Sequence, residues 1–280
     1  MLDSDERWSL WDDAPVDGAF DLADPTAASG AAVVSAVRHA CMLGYAPARA
    51  NGRAMLVLAG GGYTQLMAGR EGVAVARWLT GLGYHAFVLI HRFPDADHGP
   101  SASLDDAMEA MRAIRAKGLA PRGLGVVGLS SGGHLAACLA AAYPSGWTAP
   151  ASRFPRESTR PDVLVVGYGP ISTNAAGRTI VADKPPLPPV EKQAMYDALQ
   201  PDAMLLPAPP PMFIVYSGND PVVPVENARR LSDAATRAGS SPELHIFADA
   251  PHGFALDTAD GPVTLWPQLC EAWLKQVGFD

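Results

Sequence analysis

A chain of 280 residues that is 48% hydrophobic can bury one large core, and charged residues at 18% are too few for a disordered tail or a coiled coil. With 21 Lys and Arg against 29 Asp and Glu, the formal charge of −8 has the wrong sign for binding a phosphate backbone, so nucleic acid is not an expected partner. The first 45 residues parse poorly. Trp8 and Trp11 are suited to pin an extended arm to the body, and 33–45 can supply early antiparallel strands.

From there a rhythm begins. The apolar run 55–58 ends in glycines, and Val73, Val75, Ala76 and Leu79 then fall on a helical spacing within 71–80. A second run, 86–90, precedes Leu104, Met108, Met111 and Ile114, spaced by four, three and three. The run 125–127 leads into an apolar helix at 131–142. Further buried-strand candidates are 163–166, 213–216 and 244–247, with helices at 225–237 and 263–277 after the last two. Continuous apolar strands alternating with helices are the pattern of a parallel, doubly wound sheet covered on both faces.

One stretch breaks the rhythm. Ten prolines fall between Tyr168 and Pro211, which excludes a central strand there, and only 190–199 carries a weak helical pattern. The segment 168–211 is therefore expected to leave the sheet as a small Pro-rich cap on a single domain spanning 1–280. Cys41, Cys138 and Cys270 are isolated, without the spacing of a disulfide framework or a thiolate zinc site. The acidic first twenty residues hold no apolar signal core, and no apolar run approaches the ~18 residues of a membrane span. A cytoplasmic protein without membrane attachment is the expectation.

The sharpest motif is Gly128-Leu129-Ser130-Ser131-Gly132, a Gly-x-Ser-x-Gly pattern between a strand and a helix. In that setting the chain turns sharply and lifts the Ser130 hydroxyl above the sheet. A serine hydroxyl needs a base, and the downstream histidines are His134, His245 and His252. His134 lies on the same helix and is expected to point along it, and His245 lies within a strand. His252, alone in a loop after the last strand, is the candidate base. The loop after 213–216 offers one carboxylate, Asp220, to orient that ring, with Asp249 and Asp257 in reserve. Gly60-Gly61-Gly62-Tyr63, after the first strong strand, is placed to aim backbone N–H groups at a developing alkoxide. Gly61, Gly62, Tyr63 and Ser131 are the oxyanion candidates, with Gly62 or Tyr63 expected to act together with Ser131. No Gly-Lys-Ser/Thr follows the glycines and no cluster has metal spacing, so neither a phosphate loop nor a metal or other cofactor is expected.

With these residues in place, the chain resembles the carbohydrate-esterase branch of the α/β-hydrolases, the group containing acetylxylan esterases and prolyl-oligopeptidase-like esterases. The similar segments are Gly60 to Tyr63, Arg70-Glu71-Gly72, 83–89, 128–136, 220–227 and Pro251-His252-Gly253-Phe254, within 54–277. The resemblance implies the α/β-hydrolase fold, and a metal-free Ser-His-Asp esterase acting on short acyl groups, often acetyl, carried by small molecules or oligosaccharides. Ala59 departs from the His or Pro that usually precedes the glycines, and His91-Arg92 stands where Tyr-Arg is common. A peptidase or amidase on the same three residues is the alternative, and a hydrolase-fold binding protein without activity is a third reading.

Overall fold

In the computed structural model, residues 2–11, 15–154, 157–181 and 186–280 are described. Asp12 and Asp13 of the acidic start and part of the Pro-rich segment, with Pro185, lie outside them.

The chain opens with β1 (Glu6–Ser9), β2 (Phe20–Leu22), β3 (Val34–Val37) and β4 (Cys41–Tyr45). β2 and β3 pair with each other in a separate antiparallel ribbon. β1 and β4 extend the main sheet at one edge, with β4 antiparallel to β6 (His85–Ile90). The early strands are thus antiparallel, as the segment 33–45 suggested, but they are divided between two sheets. Trp8 packs on Phe87 at 5.1 Å and the Trp11 indole N–H donates to Asp106, which docks the arm.

The remaining strands are β5 (Ala54–Leu58), β7 (Leu124–Leu129), β8 (Leu164–Gly167), β9 (Met212–Ser217) and β10 (Glu243–Phe247). The sheet order is β1-β4-β6-β5-β7-β8-β9-β10, and from β6 to β10 every pairing is parallel. β5, β7, β8 and β9 are buried at every residue, which is why their sequences run apolar without alternation. β10 differs from the expectation of a buried strand. It has one neighbour, its residues are half-buried or exposed, and His245 is paired with Glu243 at 2.9 Å.

The helices are α1 (Ala74–Gly81), α2 (Ala102–Ala116), α3 (Ser131–Cys138), α4 (Val190–Ala198), α5 (Pro201–Met204), α6 (Glu226–Arg237) and α7 (Trp266–Gln276). The helix expected over 71–80 is interrupted at its start. Residues Ala68–Val73 form a π-helical turn that passes into α1, and Glu71 within that turn is buried. A widened turn of this kind often marks a functional position, because it re-aims a side chain that a regular helix would carry elsewhere. The helix after Ser130 is also shorter than expected, ending at Cys138.

The segment 168–211 leaves the sheet between β8 and β9 and carries α4 and α5. Leu205 bridges to Ala141, the Ala142 N–H donates to Met204, and the Ser172 N–H donates to the Asn227 side chain on α6. Its apolar residues Tyr168, Ile171, Met195, Tyr196 and Leu199 are at most 2% exposed and seat it on the body. Burial of this kind contributes roughly 25 cal/mol per Å² of apolar surface, so these side chains are committed to holding the segment down.

Candidate active site

Ser130 stands between the end of β7 and the first residue of α3, with φ 52° and ψ −125°. A non-glycine residue pays for positive φ with strain, and the surroundings hold it there. A side chain on Gly128 would lie 2.1 Å from the Gly132 carbonyl, and one on Gly132 would lie 2.0 Å from that of Leu58. Both flanking positions must therefore be glycine for the helix to pack this close to the strand ends.

The Ser130 hydroxyl lies 2.9 Å from His252 Nε2, and His252 Nδ1 lies 2.7 Å from Asp220 Oδ2. Because a carboxylate only accepts, Nδ1 carries the ring proton and leaves Nε2 to accept from Ser130. Asp220 is held by its own loop, where Oδ1 accepts the N–H groups of Val222 at 2.8 Å and Val223 at 2.9 Å. Burial disfavours its charge, yet the bonds from His252, Val223 and Val222 prevail and hold the carboxyl below its ordinary value. The reserve acids are engaged elsewhere: Asp249 accepts from Asn219 at 2.6 Å, and Asp257 pairs with Arg70 at 2.7 Å. The acid loop and the histidine loop are also tied directly, by Gly218 N–H to Phe247 and by Ala250 N–H to the Ser217 hydroxyl.

The glycine loop lies against this serine, since a side chain on Gly60 would come within 2.6 Å of Ser130 Cβ. Gly61 has φ +139° and turns the chain, accepting the Thr64 N–H. The N–H of Gly62, one of the expected oxyanion donors, donates to the Ser131 hydroxyl at 2.9 Å. The backbone N–H groups of Tyr63 and Ser131 are not engaged by another group among the described residues. Tyr63, at φ 62°, turns its side chain inward, where its hydroxyl meets His134 Nδ1 at 2.8 Å.

Residues 95–277 match the model of the prolyl oligopeptidase family. The chain belongs to that family. An acetylxylan esterase of Xylanibacter ruminicola is 26% identical over 233 residues, covering 78% of this chain and 44% of that protein. The chain thus spans less than half the length of this curated relative. Among solved structures, the acetyl ester-xyloside bifunctional hydrolase of Caldicellulosiruptor lactoaceticus superposes with a TM-score of 0.74 at 29% identity, covering 100% of this chain and 98% of that one. The carboxylesterase Cest-2923 of Lactobacillus plantarum shares the fold at 22% identity, with a TM-score of 0.71 and coverage of 88% and 95%. The fold is the α/β-hydrolase fold, with the Pro-rich excursion between β8 and β9.

In this family member, several residues beside the site escaped the sequence reading. His134, expected to point along α3 and not at Ser130, is bonded through both ring nitrogens. It is fully buried, its Nε2–H donates to the Leu199 carbonyl at 2.9 Å, and Nδ1 accepts from Tyr63. Burial holds its ionisation down at about 4, so the ring is neutral. Ser131, valued for its backbone, also uses its hydroxyl to bind Gly62. Glu71 accepts the Gly60 N–H at 2.7 Å and the Tyr168 hydroxyl at 3.1 Å. A Ser-x-x-x-His spacing could have flagged His134; Arg70-Glu71-Gly72 stood among the segments of resemblance, but nothing around Glu71 marks it as buried. No helix among the described residues is long and apolar enough to cross a membrane.

Proposed function

We propose that this chain is a serine esterase that hydrolyses short acyl esters, acetyl above all, through an acyl-enzyme formed on Ser130. The observation that carries the reading is the unbroken relay from Ser130 through His252 to Asp220, with bonds of 2.9 and 2.7 Å. In the first half-reaction His252 takes the Ser130 proton as the oxygen attacks the ester carbonyl, and Asp220 steadies the resulting imidazolium. The carbonyl oxygen, now an alkoxide, accepts from the N–H groups of Tyr63 and Ser131. His252 then returns the proton to the departing alcohol. Water attacks the acyl-enzyme by the same route, and the acid leaves.

The names of the acetylxylan esterase and of the acetyl ester-xyloside hydrolase support acetyl as the acyl group and a sugar as its carrier. The Pro-rich segment supports a short acyl chain independently. Each methylene of a long chain needs apolar wall to realise ~0.8 kcal/mol. Of the segment's large apolar side chains, Tyr168, Ile171, Met195, Tyr196 and Leu199 are already buried in the core, which leaves Val181, Val190 and Leu206 exposed. Specificity constants on nitrophenyl esters are therefore expected to be highest from acetate to butyrate and to fall steeply by octanoate. An optimum at eight carbons or longer would sink the short-acyl reading. Matched esters and amides in the same assay separate esterase from peptidase, and failure of a fluorophosphonate to label Ser130 would remove both.

A further inference from the structure

The relay does not use Glu71, yet this carboxylate is 3% exposed at the centre of the site. It is brought there by the π-helical turn Ala68–Val73, and it touches both sides of Ser130. On one side, Oε2 accepts the N–H of Gly60, the first residue of the glycine loop, at 2.7 Å. On the other, Oε1 accepts from the Tyr168 hydroxyl at 3.1 Å, and the same hydroxyl accepts the Ala255 N–H at 3.2 Å. Tyr168 meets the His252 ring edge to face at 5.3 Å and packs on Phe254 at 4.5 Å. The backbone beside the base also lies close: a Cβ placed on Gly253 would sit 3.6 Å from Glu71 Oε1.

We infer that Glu71 is a positioning residue for the proposed esterase: one buried carboxylate sets the glycine loop and the His252 loop in register around Ser130, and its charge favours the imidazolium formed during attack. The inference rests on the esterase reading. Two local features fit a site organised about Glu71. Tyr168 and Ala255 both hold positive φ, at 37° and 35°, and both are tied to Glu71 through the Tyr168 oxygen. Burial also pushes the Glu71 carboxyl up from its ordinary value, against the opposing pull of the Gly60 N–H, Tyr168, His252 and Arg70. Burial opposes the charge of this carboxyl, and its hydrogen bonds to Gly60 and Tyr168 offset that opposition.

The charged and titratable groups around the His252 ring are few. Asp220 bonds it from the loop after β9, Tyr168 faces it from the end of β8, and Glu71 approaches from the π-helical turn. Arg70, beside Glu71, is paired with Asp257 on the histidine loop, and Asp249 on that loop is bonded to Asn219. Removing the Glu71 charge while keeping its shape makes a protonated His252 less favourable. The imidazolium of the transition state is then less well supported.

The test is Glu71→Gln in the full chain, assayed with nitrophenyl acetate across pH beside the unaltered protein. The expected result is a kcat lower by roughly 10- to 100-fold with KM changed less than about threefold. The acid limb of the kcat/KM profile is expected to move to lower pH. Tyr168→Phe keeps the charge and breaks one strut, so it is expected to lose kcat by a smaller factor with the acid limb in place. Wild-type kcat in E71Q, or a lowered kcat with an unmoved acid limb, overturns the proposal. Where E71Q does not fold, Tyr168→Phe decides alone: a several-fold loss of kcat at constant KM upholds it, and unchanged kcat overturns it. A wild-type protein that turns over no ester and takes no fluorophosphonate would instead overturn the esterase reading.

Discussion

Two buried polar networks flank Ser130, and they solve the same positioning problem with opposite chemistry. On the α3 side, Tyr63, His134 and Leu199 form a neutral pin in which every partner is satisfied once: hydroxyl to Nδ1, Nε2–H to carbonyl. It joins the glycine loop to the segment that leaves the sheet after β8, inside a cluster where Tyr63 and His134 both face Tyr196. On the His252 side, the Glu71 carboxyl is a strut between Gly60 and Tyr168. A neutral pin can only hold geometry. A carboxylate near a histidine that must become positive also changes the energy of that event, because a nearby opposite charge favours the charged form.

The largest effect removes the atom between the two networks. Ser130→Ala is expected to lower ester turnover by roughly 10^4 or more while both networks and the fold persist, since neither uses the Ser130 hydroxyl. Ser131→Ala, which breaks only the tie to Gly62, is expected to cost far less. A reversed order in side-by-side kinetics would move the nucleophile to Ser131. Next comes Tyr63→Phe, which unpins the neutral side. The expected loss is about tenfold or less in kcat and about 1 kcal/mol in stability, with no movement of the acid limb. A shifted limb in Tyr63→Phe would erase the distinction between pin and strut.

The subtlest test is the response of stability to acid. His134 is held down at about 4 in the folded chain against an ordinary 6.5, so the unfolded chain takes up the proton first. Its contribution is complete above about pH 6.5 and is lost as pH falls towards 4, up to about 3 kcal/mol. Glu71 is shifted upwards, which gives the reverse sign: burying its charge weakens the fold at high pH, and acid relieves that cost. Urea denaturation at a series of pH values is expected to show the acid loss reduced in His134→Gln. An undiminished loss in that variant would mean that His134 is not the group responsible.

Much of the architecture could be read before any coordinates, because buried parallel strands leave a plain trace. The runs 55–58, 86–90 and 213–216 fall within β5, β6 and β9, since a strand covered on both faces has no polar side to interrupt it. β10 misled because an edge strand and a buried strand can carry the same five letters, and only the number of neighbours separates them. The candidate residues Ser130, Asp220 and His252 were nominated by motif and by loop position, and these three meet in space. Which N–H of the glycine loop is bonded within the protein was not legible, because it depended on where the Ser131 hydroxyl would point.

The sequence by itself determined the alternation of strand and helix, the glycines that allow the turn at Ser130, and the order of serine, aspartate and histidine along the chain. Those properties are local, set by hydrophobic period and by the steric demands of a single turn. The roles of Glu71 and His134 were decided by tertiary structure alone. Gly60 and Glu71 are eleven residues apart, Glu71 and Tyr168 are 97 apart, and His134 and Leu199 are 65 apart. A polar residue in an apolar segment reads the same whether it faces water or a buried partner. What separates the two is which other elements the fold brings against it.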